Sequence, residues 1–85
     1  MRDLVRQLLR SGTSIGANLE EADAAQSKPD FISKCTIALK EARESHYWLR
    51  LLRASGRMVD RDHLISDANE IVAILTAIVR KASAP

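Results

Sequence analysis

Residues 27–52 read SKPDFISKCTIALKEARESHYWLRLL, and they carry the most regular pattern in the chain. Their apolar or small residues follow alternating steps of four and three: Phe31, Cys35, Ala38, Ala42, Ser45, Leu49 and Leu52. This spacing aligns side chains along one face of an α-helix, as at the seam of a helical bundle. Other sides of the same helix carry Ile32, Ile37, Leu39, Trp48 and Leu51. We therefore expect this helix to contact more than one neighbour.

Capping residues mark both ends of this central helix. Ser27 is a good N-cap, Pro29 suits the first turn, and Asp30 places a carboxylate near the positive end of the helix dipole. At the other end, Gly56 suits the left-handed conformation that often terminates a helix. The sequence predicts a helix over about residues 28–54.

A first helix is predicted over about residues 3–24. Its apolar stripe consists of Leu4, Leu8, Ile15, Leu19 and Ala22, with Gly12 filling the gap in the stripe. Gly12 and Gly16 each lower helix propensity by up to about 1 kcal/mol. They allow either a kink or the close approach of another helix, and we favour close packing.

A third helix is predicted over about residues 61–82, and the tail 83–85 is expected to be disordered. Its four-three seam consists of Leu64, Ala68, Ile71, Leu75, Ile78 and Ala82, with a parallel row of Ile65, Val72 and Val79. Between positions 71 and 79 only Thr76 is not apolar, so one neighbour cannot cover this helix. The remaining apolar surface indicates subunit contact or a fourth helix. We assign to the core or to an interface Trp48, Ile71, Ile74, Leu75 and Ile78.

These patterns predict an all-α protein, an up-and-down helical bundle with three helices in a single domain over residues 1–85. A chain of 85 residues buries only a small core, so help from a second chain is expected. The net charge of +2 neither requires nor excludes an anionic partner. We find neither a membrane helix nor a signal sequence, and we expect a cytoplasmic protein.

Several segments resemble one bacterial family. They are SIGANLEEA at residues 14–22, SKPDF at 27–31, IALKEARE at 37–44 and YWLRLL at 47–52. Together they resemble the four-helix-bundle family also called 23S rRNA-intervening-sequence proteins. The resemblance covers about residues 7–52 well and the last helix loosely.

The resemblance implies a small helical bundle that assembles into a ring of five chains. It implies little about biochemistry, since most members have no assigned activity. A typical member carries a long helix before the segment that corresponds to residues 7–21, and only residues 1–6 precede it here. We therefore expect a short form that lacks most of the first family helix, and a pentamer as its assembly.

The matching segments contain a polar cluster that we expect to be structural: Ser14, Asn18, Glu21, Glu41 and Glu44. We expect its acids to pair with Lys40, Arg43 or Arg50 and so to fix helix register. A metal site would need several carboxylates and a histidine, and the Glu-x-x-His spacing of di-iron bundles is absent from the sequence. We expect no metal and no cofactor.

The sequence contains no catalytic signature. The single cysteine, Cys35, falls on the central seam, where we expect a buried and inert thiol. Neither His46 nor His63 has an evident carboxylate to orient it, and no glycine-rich phosphate loop or zinc-ligand spacing is present. We expect neither an enzyme nor a small-molecule substrate.

Arginine placement supports a sharper hypothesis. The candidate nucleic-acid contacts are Arg6, Arg10, Arg50, Arg53, Arg57 and Arg61. A ring of identical chains would repeat such a basic patch and present it to phosphates several times. The alternative is a set of solvated arginines that pair with nearby acids, since no aromatic stacking platform accompanies them. We favour a non-enzymatic homo-oligomer that acts as a structural or interaction module, and binding of RNA or DNA is the alternative function.

Overall fold

Three α-helices form the computed structural model, which describes residues 2–56 and 61–85. They are α1 (Arg2–Asp23), α2 (Lys28–Ala54) and α3 (Arg61–Ser83), and no strand occurs in the described residues. The predicted all-α class with three sequential helices is confirmed. α3 continues to Ser83, one residue into the tail that was expected to be disordered.

α2 lies between the other two helices. α1 and α3 each pack against it, whereas no Cα atom of α1 lies within 8 Å of α3 in the described ranges. The Cα atoms span 44 × 20 × 13 Å, which is the shape of a flat layer of antiparallel helices. The start of α1, the end of α2 and the start of α3 therefore lie at the same end of the layer.

The bounds of α2 follow from caps at both ends. Ser27 has an extended backbone, and its Oγ accepts a hydrogen bond from the backbone N–H of Asp30 at 3.2 Å. Pro29 lies in the first turn, where an N–H group would have no intrahelical partner. Gly56 adopts a φ of +73° and donates its N–H to the carbonyl of Arg53. This left-handed conformation suits glycine because it has no Cβ atom. The predicted caps Ser27 and Gly56 are confirmed.

The buried face of α2 is the one that its spacing predicted. Its buried residues are Cys35, Ala38, Ala42, Ser45, Leu49 and Leu52, while Phe31 at the start of the row is half-buried. Ala38 and Ala42 join Leu75 of α3 at the centre of the core. Small side chains at this centre allow both outer helices to approach α2 closely.

α3 turns only part of its predicted seam toward α2. Ala68 and Leu75 are buried, but Leu64, Ile71 and Ile78 remain 37–44% exposed. The parallel row of Ile65, Val72 and Val79 is half-buried instead. Since this helix is apolar on several sides, the face that meets α2 leaves another apolar face exposed.

α1 is one continuous helix through both glycines, so the chain does not break at them. The Ser11 hydroxyl donates to the Leu8 carbonyl at 3.2 Å, and the Thr13 hydroxyl donates to the Leu9 carbonyl at 2.8 Å. These hydroxyls bind the preceding turn and therefore do not compete with the helix. Ser11, and not Gly12 as predicted, is the residue buried at the middle of α1.

Candidate functional site

An apolar groove of about 410 Å³ lies between α1 and α3, with α2 as its floor. It exists because α1 and α3 each lie beside α2, and no Cα atom of one outer helix comes within 8 Å of the other in the described ranges. One wall includes Leu8, Leu9 and Gly12 of α1. The opposite wall includes Leu64 and Ile71 of α3. The groove is therefore lined mainly by hydrocarbon and open to solvent.

The surroundings of the groove include the two most exposed large hydrophobic side chains of the described residues. Leu9 is 63% exposed and Ile74, one turn beyond Ile71, is 54% exposed. Leu64 and Ile71 are also exposed. Complete burial of such a side chain stabilises by about 1.5–3 kcal/mol. Burying this face against another molecule would therefore contribute a large favourable free energy to association.

The residues assigned to a core or interface fall into two groups. Leu75 is buried in the core, and Trp48 is half-buried, with its Nε1–H donating to Glu44 Oε1 at 3.0 Å. Ile71, Ile74 and Ile78 are exposed in the single chain. Of the five assigned residues, these three are the ones on α3 that remain available for an interface.

The predicted polar cluster does not converge on one point. Asn18 Nδ2 donates to the carbonyl of Ser14 at 2.9 Å and to its hydroxyl at 3.2 Å, so this pair stays within α1. Glu21 pairs with Lys34 of α2 at 3.5 Å. The cluster is thus divided among separate contacts.

Glu41 and Glu44 both bind Arg10 of α1. Arg10 Nη1 lies 3.2 Å from Glu41 Oε2, and Arg10 Nη2 hydrogen-bonds Glu44 Oε1. The hydrogen bonds from Arg10 and Trp48 hold the pKa of Glu44 below its usual value. The predicted ion pairs of these acids with Lys40, Arg43 or Arg50 are not found in the described part of the chain.

A buried hydroxyl pair joins α1 to α2 and was not predicted. Ser11 Oγ lies 2.7 Å from Ser45 Oγ, and both residues are buried. The signal was a complete four-three row in α1, which consists of Leu4, Leu8, Ser11, Ile15, Asn18 and Ala22. Two members of this row, Ser11 and Asn18, are polar, so apolar periodicity alone does not reveal the complete row.

The predicted nucleic-acid arginines have different surroundings where the structure describes them. Arg10 is committed to its two carboxylates, and Arg6 is exposed on α1. The guanidinium of Arg50 lies 5.7 Å from the centroid of the Tyr47 ring. Arg53 is exposed near the end of α2. Arg57 lies outside the described residues, and Arg61 is described only as the first residue of α3.

Among the side chains of residues 2–56 and 63–85, no group of three or more His, Cys, Asp or Glu residues is placed to hold a metal ion. None of the described helices combines the length and the apolar character that crossing a membrane requires. Cys35 is buried, and its burial raises the pKa of the thiol, which disfavours the reactive thiolate.

Comparison with known proteins identifies the family. The family model described as 23S rRNA-intervening sequence protein matches residues 1–77. No curated protein matches the chain. A solved protein of unknown function from the S23 ribosomal protein family of Bacteroides thetaiotaomicron is 47% identical, with a TM-score of 0.85, over 89% of this chain and 72% of that chain. The chain therefore belongs to the 23S rRNA-intervening sequence protein family.

Proposed function

We propose that this protein is a non-enzymatic interaction module that assembles with further copies of itself through the groove between α1 and α3. The observation that carries the proposal is the open apolar groove of about 410 Å³, with Leu9, Leu64 and Ile71 exposed along it. A continuous exposed apolar face on a small domain is typical of a protein interface.

The shape of the chain favours a second copy as the occupant of the groove. Three helices in a layer bury one side of each outer helix against α2 and leave the groove face uncovered. Stable domains consist of at least two packed layers around one core. Every further copy carries the same exposed apolar helix faces, so it can supply an apolar partner for the groove without any other protein.

The charges beside the groove support contact between unlike helices of two copies. Arg2 and Arg6 precede Leu9 and Thr13 by seven residues and therefore share their side of α1. On α3, Asp67 lines the groove and the exposed Glu70 follows three residues later. A basic α1 edge from one copy thus suits the acidic α3 edge of another.

Gly12 gives the wall of α1 a place where another backbone could approach closely. A Cβ atom built on Gly12 would meet nothing within 4 Å, so no part of the described chain uses this space. The close packing predicted from the sequence therefore becomes, in this proposal, a contact between copies. We propose five copies, following the family resemblance.

Light scattering coupled to size exclusion tests the proposal through the variant Ile71→Glu. Wild type is expected at a multiple of 9.4 kDa, and a carboxylate in the groove should shift the mass toward one chain. Ile37→Glu is the matched control, because Ile37 is also exposed but does not line the groove. A folded wild-type monomer, or equal effects of the two variants, would contradict self-assembly through the groove.

Binding of RNA or DNA is a second candidate function, and exposed arginines on the last two turns of α2 favour it. Arg50 and Arg53 lie three residues apart and share one side of that helix. Arg50→Glu should weaken the binding of a fluorescent RNA oligomer and reduce its salt dependence. Arg80→Glu, an equal charge change on α3, is the control. RNA binding that is equal in both variants would contradict a role for the α2 arginines.

A further inference from the structure

A second cavity, of about 230 Å³, lies between α2 and α3 and shares no lining residue with the groove. α2 lines it with Arg43, His46 and Arg50, which are spaced at i, i+3 and i+7 on one helix face. α3 completes it with Asn69 and Val72. The sequence pattern did not place Arg43, His46 or Asn69 in a binding site.

The cavity gathers positive charge without a balancing carboxylate. Among the residues that the structure describes, no Asp or Glu lines it, and neither Arg43 nor His46 forms an ion pair. Burial, followed by the charges of Arg50 and Arg53, lowers the pKa of His46. The site is therefore a place where an anion would relieve repulsion among cationic groups.

The side chains around the cavity supply the donors that an oxyanion needs. Each arginine offers several N–H groups in a planar fork whose geometry matches phosphate oxygens. The Asn69 amide and the His46 imidazole add further N–H donors from two directions. A water molecule takes about 30 Å³ in the liquid, so 230 Å³ leaves room for a tetrahedral anion and bridging waters.

We propose that the pocket formed by Arg43, His46, Arg50 and Asn69 binds a phosphate group. The phosphate could belong to a nucleic-acid backbone or to a free phosphate compound, and the recognition chemistry is the same for both. The proposal is independent of self-assembly. It deepens the nucleic-acid candidate only if a polynucleotide supplies the phosphate.

NMR of the two histidine rings tests the pocket directly, with sulfate as the probe because it stays a dianion near neutral pH. Sulfate should shift the ring signals of His46 and raise its apparent pKa, since a nearby anion favours the imidazolium form. The charged groups near this ring are Arg43, Arg50 and Arg53 on α2, while α3 contributes only Asn69 and Val72 to the cavity. His63 pairs with Asp67 outside the cavity and serves as the internal reference.

A matched pair of amide-to-carboxylate variants controls for net charge. Asn69→Asp places a negative charge in the pocket and should weaken sulfate binding at least about tenfold. Gln26→Glu makes the same change in the connection between α1 and α2, and it should leave binding unchanged. Both positions are exposed, so both variants should fold like wild type. Sulfate that moves His46 and His63 alike, or equal binding by the two variants, would overturn the proposal.

The source of the phosphate follows from competition at the same site. An RNA oligomer that displaces sulfate far more effectively than a mononucleotide, and loses this advantage in Asn69→Asp, supports the pocket with a polynucleotide ligand. Equal displacement by mononucleotide and oligomer supports the pocket with a free phosphate compound and removes the nucleic-acid candidate. RNA binding that is fully retained in Asn69→Asp overturns the pocket while leaving that candidate standing.

Discussion

The two seams of α2 are held by different kinds of contact. The seam with α1 contains the Ser11–Ser45 hydroxyl pair at 2.7 Å and the ion pairs of Arg10 with Glu41 and Glu44. Between residues 31–52 of α2 and residues 63–83 of α3, no hydrogen bond or ion pair joins side chains. That seam consists of apolar packing around Leu75.

The difference shows how the two outer helices are specified. Directional polar contacts favour one register between α1 and α2, because a slip would separate the buried Ser45 hydroxyl from Ser11. Apolar packing of α3 supplies stability but is not directional. We expect α1 to be positioned by its polar contacts, and α3 by burial against α2.

Among changes at the two seams, Leu75→Ala should lower the free energy of unfolding most. Loss of a buried leucine removes transfer energy and leaves a cavity, so the free energy of unfolding should fall by about 2–5 kcal/mol. Urea unfolding at a fixed chain concentration measures it. Ile37→Ala is the control, since an exposed position should change stability by no more than about 0.5 kcal/mol. A loss below about 1 kcal/mol for Leu75→Ala would show that α3 does not depend on this packing.

Ser45→Ala, at the seam between α1 and α2, should lower the free energy of unfolding by a smaller amount. It removes one partner of a buried hydroxyl pair and should destabilise by about 1 kcal/mol, because Ser11 keeps its bond to the Leu8 carbonyl. The double variant Ser11→Ala with Ser45→Ala should cost less than the sum of the two single changes, as expected for side chains in contact. Strict additivity in a double-mutant cycle would indicate that the two hydroxyls do not interact.

Gly12→Ala separates the stability of one chain from assembly at the groove. Alanine should stabilise α1 by about 0.5–1 kcal/mol, since nothing in the described chain obstructs a Cβ atom there. If another copy packs on Gly12, the same change should weaken assembly in light scattering at dilute concentration. Gly16→Ala is matched in propensity but lies outside the groove. Equal masses for the two variants would place the contact between copies elsewhere.

Glu44→Gln should change the free energy of unfolding least, and the change should depend on pH. Arg10 lowers the pKa of Glu44 in the folded chain, whereas an unfolded glutamate titrates near about pH 4.3. The resulting stability is present above about pH 4.3 and is lost as the pH falls through the lower folded pKa. Glu20→Gln, which changes an exposed glutamate of α1, is the control. Between roughly pH 3 and 7, the range in which carboxylates titrate, the free energy of unfolding should fall less with acid in Glu44→Gln than in the control. Identical pH profiles would contradict the link to Arg10.

Much of the fold was predictable because α2 presents one clear face. Its four-three row has six buried members in the structure, and Ser27 and Gly56 cap it as expected. α3 was not predictable to the same degree, since a helix that is apolar nearly all round has no single preferred face. Its half-exposed Leu64, Ile71 and Ile78 show that α2 meets a neighbouring row instead.

The candidate sites were less accessible to sequence reasoning than the helices. The groove depends on the distance between α1 and α3 across α2. Helical periodicity within one segment does not predict the distance between two helices. Arg10 was assigned to a basic surface because its partners, Glu41 and Glu44, are more than thirty residues away in the chain. The pocket formed by Arg43, His46, Arg50 and Asn69 was missed for the same reason, because its residues come from two helices.

The central claim is that another copy of this chain covers the groove between α1 and α3. It is tested most directly by isotope-filtered NMR on a mixture of labelled and unlabelled chains, which detects contacts between copies only. We predict intermolecular contacts from the methyl groups of Leu9, Leu64 and Ile71, and none from Ile37. Intermolecular contacts confined to Ile37, or none at all in a folded sample, would contradict the account.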